Sequence, residues 1–325
     1  ALISALFSKA PYVSLLGLTG AEINSFLNTL GFALLFFLLS AVGLNRKKLA
    51  IGFLVSSLIV FLIGILQIFG VWLFPFDFTK SLTFNTVGTT NAWSLFLGLV
   101  FVMIFSASYG KWIMEGHSIS KKWAWRNIFV WLLLICLLAM IFLLNFWPSF
   151  VGILIMAVFF LVFRWYYHGD IFKKENAVPL FLIILSLLVI YNYFLPNGWR
   201  FLPSLRLEKT SVFSLPLEIT PSPSASWFIA KSTAQEETKN FLIGSGGGTF
   251  QYQYALYQSA SLNEGDFWSI RFAQAFNSYL THMVEWGVLG TVFWLLFLLF
   301  LFWEALKAVI SVRQPVIGMG LIYLI

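Results

Sequence analysis

The sequence predicts an all-α polytopic membrane protein, and three observations carry that expectation. Of its 325 residues 60% are apolar, 19% are aromatic and only 10% are charged, where a soluble domain carries about 25% charged residues. Several apolar runs reach the roughly 20 residues a helix needs to cross a bilayer. Lysines and arginines collect in short connections between those runs, the pattern of cytoplasmic loops. That clustering also argues against nucleic acid as the partner behind the net charge of +7. The single cysteine, Cys136, lies inside an apolar run, so this chain offers neither an internal disulfide nor a cysteine-based metal site.

Eight apolar segments stand out. They run from Asn28 to Gly43, Leu49 to Phe74, Asn91 to Tyr109 and Asn127 to Phe146. Four more run from Ser149 to Tyr166, Pro179 to Leu195, Trp286 to Ala308, and Val316 onward. The connections alternate in charge. "NRKK" (Asn45–Lys48), "KWIMEGHSISKKWAWR" (Lys111–Arg126), the loop with Lys173 and Lys174, and the loop with Lys307 and Arg313 are basic. "PFDFTKSLTFNTVGTT" (Pro75–Thr90) is nearly neutral, and the "WPS" turn (Trp147–Ser149) is uncharged. The basic set is therefore expected in the cytoplasm and the rest outside. "ALISALFSKAP" lacks the charged start of a signal peptide, and "GMGLIYLI" stops within a starting helix. The expectation is a piece of a longer protein, with further helices at both ends.

The segments divide the chain into an N-terminal bundle of about six spans (1–195), a large outer connection (196–285) and C-terminal spans (286–325). A connection of that length is uncommon and usually functional. Its "SLPLEITPSPSAS" third is expected to be extended or turning. From Ala225 to Asn240 the pattern suits an amphipathic helix with Trp227, Ile229 and Ala230 available for burial. From Asp266 to Glu285 it again reads as helix and runs into the seventh span.

"FLIGSGGGTFQYQY" (Phe241–Tyr254) raises the question of a nucleotide loop. It lacks the Lys-Ser/Thr ending of a P-loop and the third glycine of the dinucleotide fingerprint, and its expected position is outside the cell. Two readings stay open: a tight turn whose glycines supply positive φ, and a backbone nest for an anion or a sugar hydroxyl.

"DFWSIRFAQAFNSYLTHMVEWGVLG" carries a more specific constellation. On one continuous helix Arg271, Ser278, His282 and Glu285 fall within about 60° of each other. Such a face at the membrane is costly unless it lines a wet cavity. His282 beside Glu285 at i, i+3 can accept a proton, with the carboxylate stabilising the charged ring. Arg271 can hold a phosphate by two parallel hydrogen bonds, and Arg200 and Arg206 are the other candidate phosphate ligands. Interfacial helix ends also carry such residues simply because they meet headgroups and water. Asn85, Asn91 and "NTVGTTN" can line an outer cavity or cap a helix. His117 and His168 read as solvated, and Trp123, Trp125, Tyr166 and Tyr167 as interfacial aromatics. No cluster has metal-site spacing.

The order of these elements resembles the O-antigen ligase and O-antigen polymerase superfamily, which includes protein O-oligosaccharyltransferases. The family pattern is "G-x-G-x-x-F", then "H-N-x-Y-L", then "E-x-G-x-x-G". Gly244, Gly246 and Phe250 loosely match the first element, Asn277, Tyr279 and Leu280 the second, and Glu285, Gly287 and Gly290 the third. "YVSLLGL" near Tyr12 and "GTTNAWSLFL" near Gly88 resemble earlier outer loops of the family.

The resemblance implies a GT-C-like helical bundle in the bacterial cytoplasmic membrane, active on its extracytoplasmic face. It implies transfer of a glycan from an undecaprenyl-diphosphate-linked donor to a glycan, lipid or protein acceptor, without metal ion or cofactor. In the ligases outer-loop arginines hold the diphosphate and a histidine activates the acceptor. Here Phe276 stands at the family histidine position, His282 lies six residues on, and the stretch "SASWFIAKS" before the glycine element offers only Lys231 for the family arginine. The expected sites are therefore His282 and Glu285 for catalysis, with Arg200, Arg206, Arg271, Lys231, Gly244, Gly246 and Asn277 for substrate. The competing readings are a lipid transporter and an inactive homologue that binds or assembles glycan.

Overall fold

The structure, a computed structural model, describes residues 1–17, 24–41, 46–81, 84–114, 121–168, 176–195, 220–258 and 271–312. Among these residues every α-helix and 3₁₀ turn is accounted for without a strand. Four helices are long and apolar enough to cross a membrane: Lys48–Ile68, Thr90–Ser108, Ala177–Phe194 and Ser278–Glu304. Shorter apolar helices at Phe26–Leu39, Ile128–Leu144 and Trp147–Val162 coincide with three more predicted segments. The chain is that of a helical membrane protein. The segment from Val316 onward, His117, and residues 196–219 and 259–270 of the long connection lie outside the described residues.

Contacts divide the chain into two units, Lys47–Glu218 with Phe300–Ile325, and Ala1–Arg46 with Ile219–Leu299. The N-terminal 46 residues thus group with the second half of the long connection rather than with the first spans.

The first of these units is built from α4 (Arg46–Ile68), α5 (Thr90–Met114), α6 (Lys121–Leu144), α7 (Trp147–His168) and α8 (Ala177–Phe194). Its core holds Leu97, Phe105, Leu137, Ile141, Phe150, Ile153 and Met156, all buried. Phe105 stacks on Phe101 and meets Trp131 and Phe160 edge-on. In lipid, helices associate through such packing and through interhelical hydrogen bonds rather than the hydrophobic effect. The buried Ser94 and Ser149 hydroxyls, 2.9 Å apart, supply one such bond, worth about 0.6 kcal/mol on average in membranes.

Three local features set the helix ends. The second apolar segment was expected to be helical to Phe74, but α4 stops at Ile68 because Gly70 takes φ 76°. Val71 N–H then donates to Leu66 O and Gly70 N–H to Gln67 O, the paired bonds of a Schellman end. Thr89 caps α5 by accepting from Ala92 N–H at 3.1 Å, and Asn85 accepts from the Val87 and Gly88 N–H groups in a turn just before it. The uncharged "WPS" is the first turn of α7, and the reversal lies at Asn145, with φ 45°.

α4 meets α5 where Gly64 receives the indole of Trp93. A Cβ at residue 64 would stand 2.0 Å from the Trp93 ring, and that ring is 2% exposed, without room to move aside. Gly64→Ala is therefore expected to destabilise the protein by about 1–3 kcal/mol, the usual cost of overpacking. Thermal unfolding in detergent checks this, and an unchanged midpoint would show that the ring relocates freely.

The other unit contains α1 (Leu2–Leu6), α2 (Pro11–Leu16), α3 (Phe26–Ala41), α9 (Pro223–Glu236), α10 (Thr238–Ile243), α11 (Phe250–Tyr257) and the start of α12 (Ser278–Val312). Ser222 caps α9 by accepting from Ala225 N–H, with Pro223 in the first turn, where its missing donor costs nothing. Ile229 and Ala230 are buried as expected, together with Phe250, Tyr254, Ala275 and Val284. Trp227 was expected to join them, but it is 55% exposed. The expected helix to Asn240 is broken at Glu237, whose φ −148° and ψ 146° are extended.

α12 corrects the reading of the seventh span. Residues 271–277 are not helical, so the expected single helix through Arg271 does not form there. Within α12, Gly287 takes φ 68° and ψ −171°. Tyr279 and Trp294 are fifteen positions apart, about 22 Å along a straight helix, yet their ring centroids are 5.2 Å apart. The arm 278–286 is therefore folded back toward the arm that follows Gly287.

Candidate functional site

The site forms where the glycine loop meets this turn. Ser245 N–H donates to Val284 O and Gly246 N–H to Glu285 O, both at 2.9 Å. Ser245 Oγ donates to Val284 O as well, at 3.0 Å. The Val284 and Glu285 carbonyls lie beside the break at Gly287, and buried carbonyls must find donors; the loop provides them. The approach is close enough to require glycine on both sides. A Cβ on Gly244 would come 2.3 Å from Glu285 O, and one on Gly287 would come 2.5 Å from Gly244 N.

The N-terminal segment closes the other side. Ser4 Oγ donates to Glu285 O at 2.6 Å. Ser8 Oγ donates to Ser245 O at 2.9 Å and accepts from Ser14 Oγ at 2.7 Å. Gly246 packs directly on the Ser8 and Ser14 hydroxyls. Lys9 pairs with Glu236 at the end of α9, and Asn240 Nδ2 donates to the same carboxylate at 3.1 Å. Burial, then the neighbouring Glu236 carboxylate, raise the Tyr257 phenol above its ordinary range, so it stays neutral and donates to Glu236.

Glu285 is fully buried. Its Oε1 accepts from Phe250 N–H at 3.4 Å, and Gly248 N–H and the Asn24 amide face the same carboxyl group. Phe250 opens α11, so the carboxylate sits where the helix dipole favours negative charge. Its Oε2 has no hydrogen-bond partner. His282 stacks flat on Trp286, with centroids 4.2 Å apart and planes 4° apart, and meets Trp294 edge-on at 4.7 Å. His282 Nδ1 and Trp286 Nε1 are buried without partners. The expected His282–Glu285 pair is therefore not made: the carboxyl group turns into the glycine loop while the imidazole lies in an aromatic slot.

The other expected site residues separate into groups. Gly244 and Gly246 are in the loop just described. Asn277 caps α12, its Oδ1 accepting from Leu280 N–H at 2.9 Å. Lys231 and Arg271 are exposed, on α9 and in the non-helical stretch before α12. Arg200 and Arg206 lie outside the described residues. The four-residue face on one helix is reduced to Ser278, His282 and Glu285, since Arg271 precedes the helix. Among the described residues no three His, Cys, Asp or Glu side chains form a metal-sized group.

Sequence reasoning missed Ser4, Ser8, Asn24 and Trp294. Serine inside an apolar run carries no spacing signal, and only the resemblance at "YVSLLGL" touched Ser14. The chain matches no protein-family model and no curated protein sequence.

Proposed function

We propose that the protein is a membrane glycosyltransferase that moves a glycan from an undecaprenyl-diphosphate donor to an acceptor on the extracytoplasmic face. One observation carries the reading. The glycine element around Gly244–Phe250 and the "E-x-G-x-x-G" element from Glu285 to Gly290 are distant in sequence, yet they form one hydrogen-bonded body. The two elements that carry the resemblance are thus in direct contact with each other, which supports reading them together.

In this mechanism the leaving group is a diphosphate, so the protein must neutralise it and orient the attacking hydroxyl. Arg271 and Lys231, both exposed, are the cations proposed to meet it, with Arg200 and Arg206 as further donors of charge. His282 takes the acceptor proton, its ring fixed by the two tryptophans. Glu285 is enclosed and acts by holding the glycine loop. The second reading, an inactive homologue in glycan binding or assembly, is favoured by the unpaired state of His282.

Purified protein incubated with an undecaprenyl-diphosphate oligosaccharide and an acceptor glycan is expected to release undecaprenyl diphosphate. His282→Ala is expected to lower release at least about 100-fold, the lower range for a proton-transfer group, and Arg271→Ala should weaken it further through donor binding. Donor binding without release would select the second reading. Neither binding nor release would end both.

A further inference from the structure

A groove in the spanning unit is lined by none of the residues proposed for glycan transfer. It lies between α4, α5 and α6, has a volume of about 360 Å³, and is lined by residues including Ala50, Leu58, Ile104, Ala107, Phe129 and Leu133. That volume equals the share of about a dozen waters at roughly 30 Å³ each, room for a stretch of one hydrocarbon chain. Leu58, Val55 and Phe129 on its wall are exposed, so the groove is open at the side of helices long enough to face lipid.

The charge at one end of the groove is equally distinctive. Arg46, Lys47 and Lys48 occupy the first turn of α4, Lys111 the last turn of α5, and Lys121, Lys122 and Arg126 the start of α6. The lining residues nearest them, Ala50, Ser108 and Phe129, follow or precede those positions by about one turn. Three helices of alternating direction therefore bring six basic positions of this unit, 47, 48, 111, 121, 122 and 126, to the same end of an apolar channel, with Glu115 the one acid between Lys111 and Arg126 in the sequence. The small residues Ala50, Ala107 and Ser108 leave that mouth open.

We propose that this groove holds one chain of an anionic, phosphate-headed bilayer lipid whose headgroup sits at the basic ends of α4, α5 and α6. Basic pockets between spanning helices recognise such headgroups, with each nearby Lys or Arg adding attraction. The lipid occupies the face of the membrane that carries the basic loops. The inference stands without the glycosyltransferase reading.

The test is native mass spectrometry of the purified protein titrated with dioleoylphosphatidylglycerol or with dioleoylphosphatidylcholine. The anionic lipid is expected to be retained at about tenfold lower concentration, the effect of one or two basic residues at roughly 1 kcal/mol each. Ala107→Trp, which fills the mouth, should abolish retention of both lipids. The surface variant Lys47→Gln/Lys48→Gln/Lys121→Gln/Lys122→Gln should remove only the preference, and it decides the matter if the tryptophan variant fails to fold. Excess inorganic phosphate should not displace the lipid. Equal retention of the two lipids by the wild type, an unchanged preference in the glutamine variant, or displacement by phosphate would each overturn the proposal.

Discussion

Gly287→Ala is expected to lower the stability of the protein by about 2–5 kcal/mol and to open the turn of α12. Two costs combine. Holding an L-residue at φ 68° and ψ −171°, a region essentially confined to glycine, costs of order 2 kcal/mol. The new Cβ would stand 2.5 Å from Gly244 N and 2.6 Å from Ile243 N, backbone atoms that shift only if the glycine loop moves, and overpacking of this kind costs about 1–3 kcal/mol. Gly287→Asn is expected to be as damaging as alanine, because the tolerance of asparagine for left-handed helical backbone does not extend to ψ −171° and the Cβ remains.

Gly52→Ala is the control. Residue 52 is inside α4, with nothing within 4 Å of a Cβ and no positive φ, and alanine there should be neutral or stabilising by about 0.5–1 kcal/mol. Thermal unfolding in detergent reads all three variants. Loss of quenching between the Tyr279 and Trp294 rings reports the turn itself. An alanine variant that melts with the wild type and keeps that ring contact would remove the turn from the account of the site.

Spans were legible in the sequence because the bilayer imposes one rule, a long apolar run, on every crossing helix. The seven segments that fall on described residues all became helices, with ends displaced where a backbone feature intervened. Gly70 ended α4 six residues before Phe74, and Asn145 moved a turn expected at Trp147. The amphipathic reading of α9 placed Ile229 and Ala230 correctly but not Trp227, which is 55% exposed.

The site was only half legible. Its glycines, His282 and Glu285 were visible as unusual residues for their surroundings. What they touch was not, because the loop, the turn at Gly287 and the serines of α1 and α2 come from three distant stretches. A glycine after "VEW" reads equally well as helix interior or as a reversal. Arg271 was placed with His282 because the periodicity argument assumed helix through 271–277. His282 and Glu285 do share the arm 278–286, but the ring packs on Trp286 while the carboxyl group meets the glycine loop.

That reassignment gives Glu285 a different chemistry, and substitution distinguishes the two. Phe250 N–H donates to the buried carboxylate and Gly248 N–H faces it. Glu285→Leu strands these two backbone donors in a buried site, and about 2–6 kcal/mol of stability should go with them, at about 1–3 kcal/mol for each unsatisfied group. Glu285→Gln keeps one carbonyl acceptor, so its loss should be about 1–3 kcal/mol, the penalty for a single unsatisfied buried group. The glycine loop should become cleavable by protease in the same order, leucine before glutamine.

Activity then discriminates between a holding and a proton-transferring carboxylate. If Glu285 holds the loop, release of lipid diphosphate per folded molecule in Glu285→Gln should stay within about tenfold of wild type, less than the 100-fold or more that removal of a general base produces. Leucine should lose activity as it loses the fold. A glutamine variant with wild-type stability, an intact loop and activity down 100-fold or more would return Glu285 to the reaction. The carboxylate would then have to leave the Phe250 amide and reach the acceptor, which requires the turn at Gly287 to open during turnover.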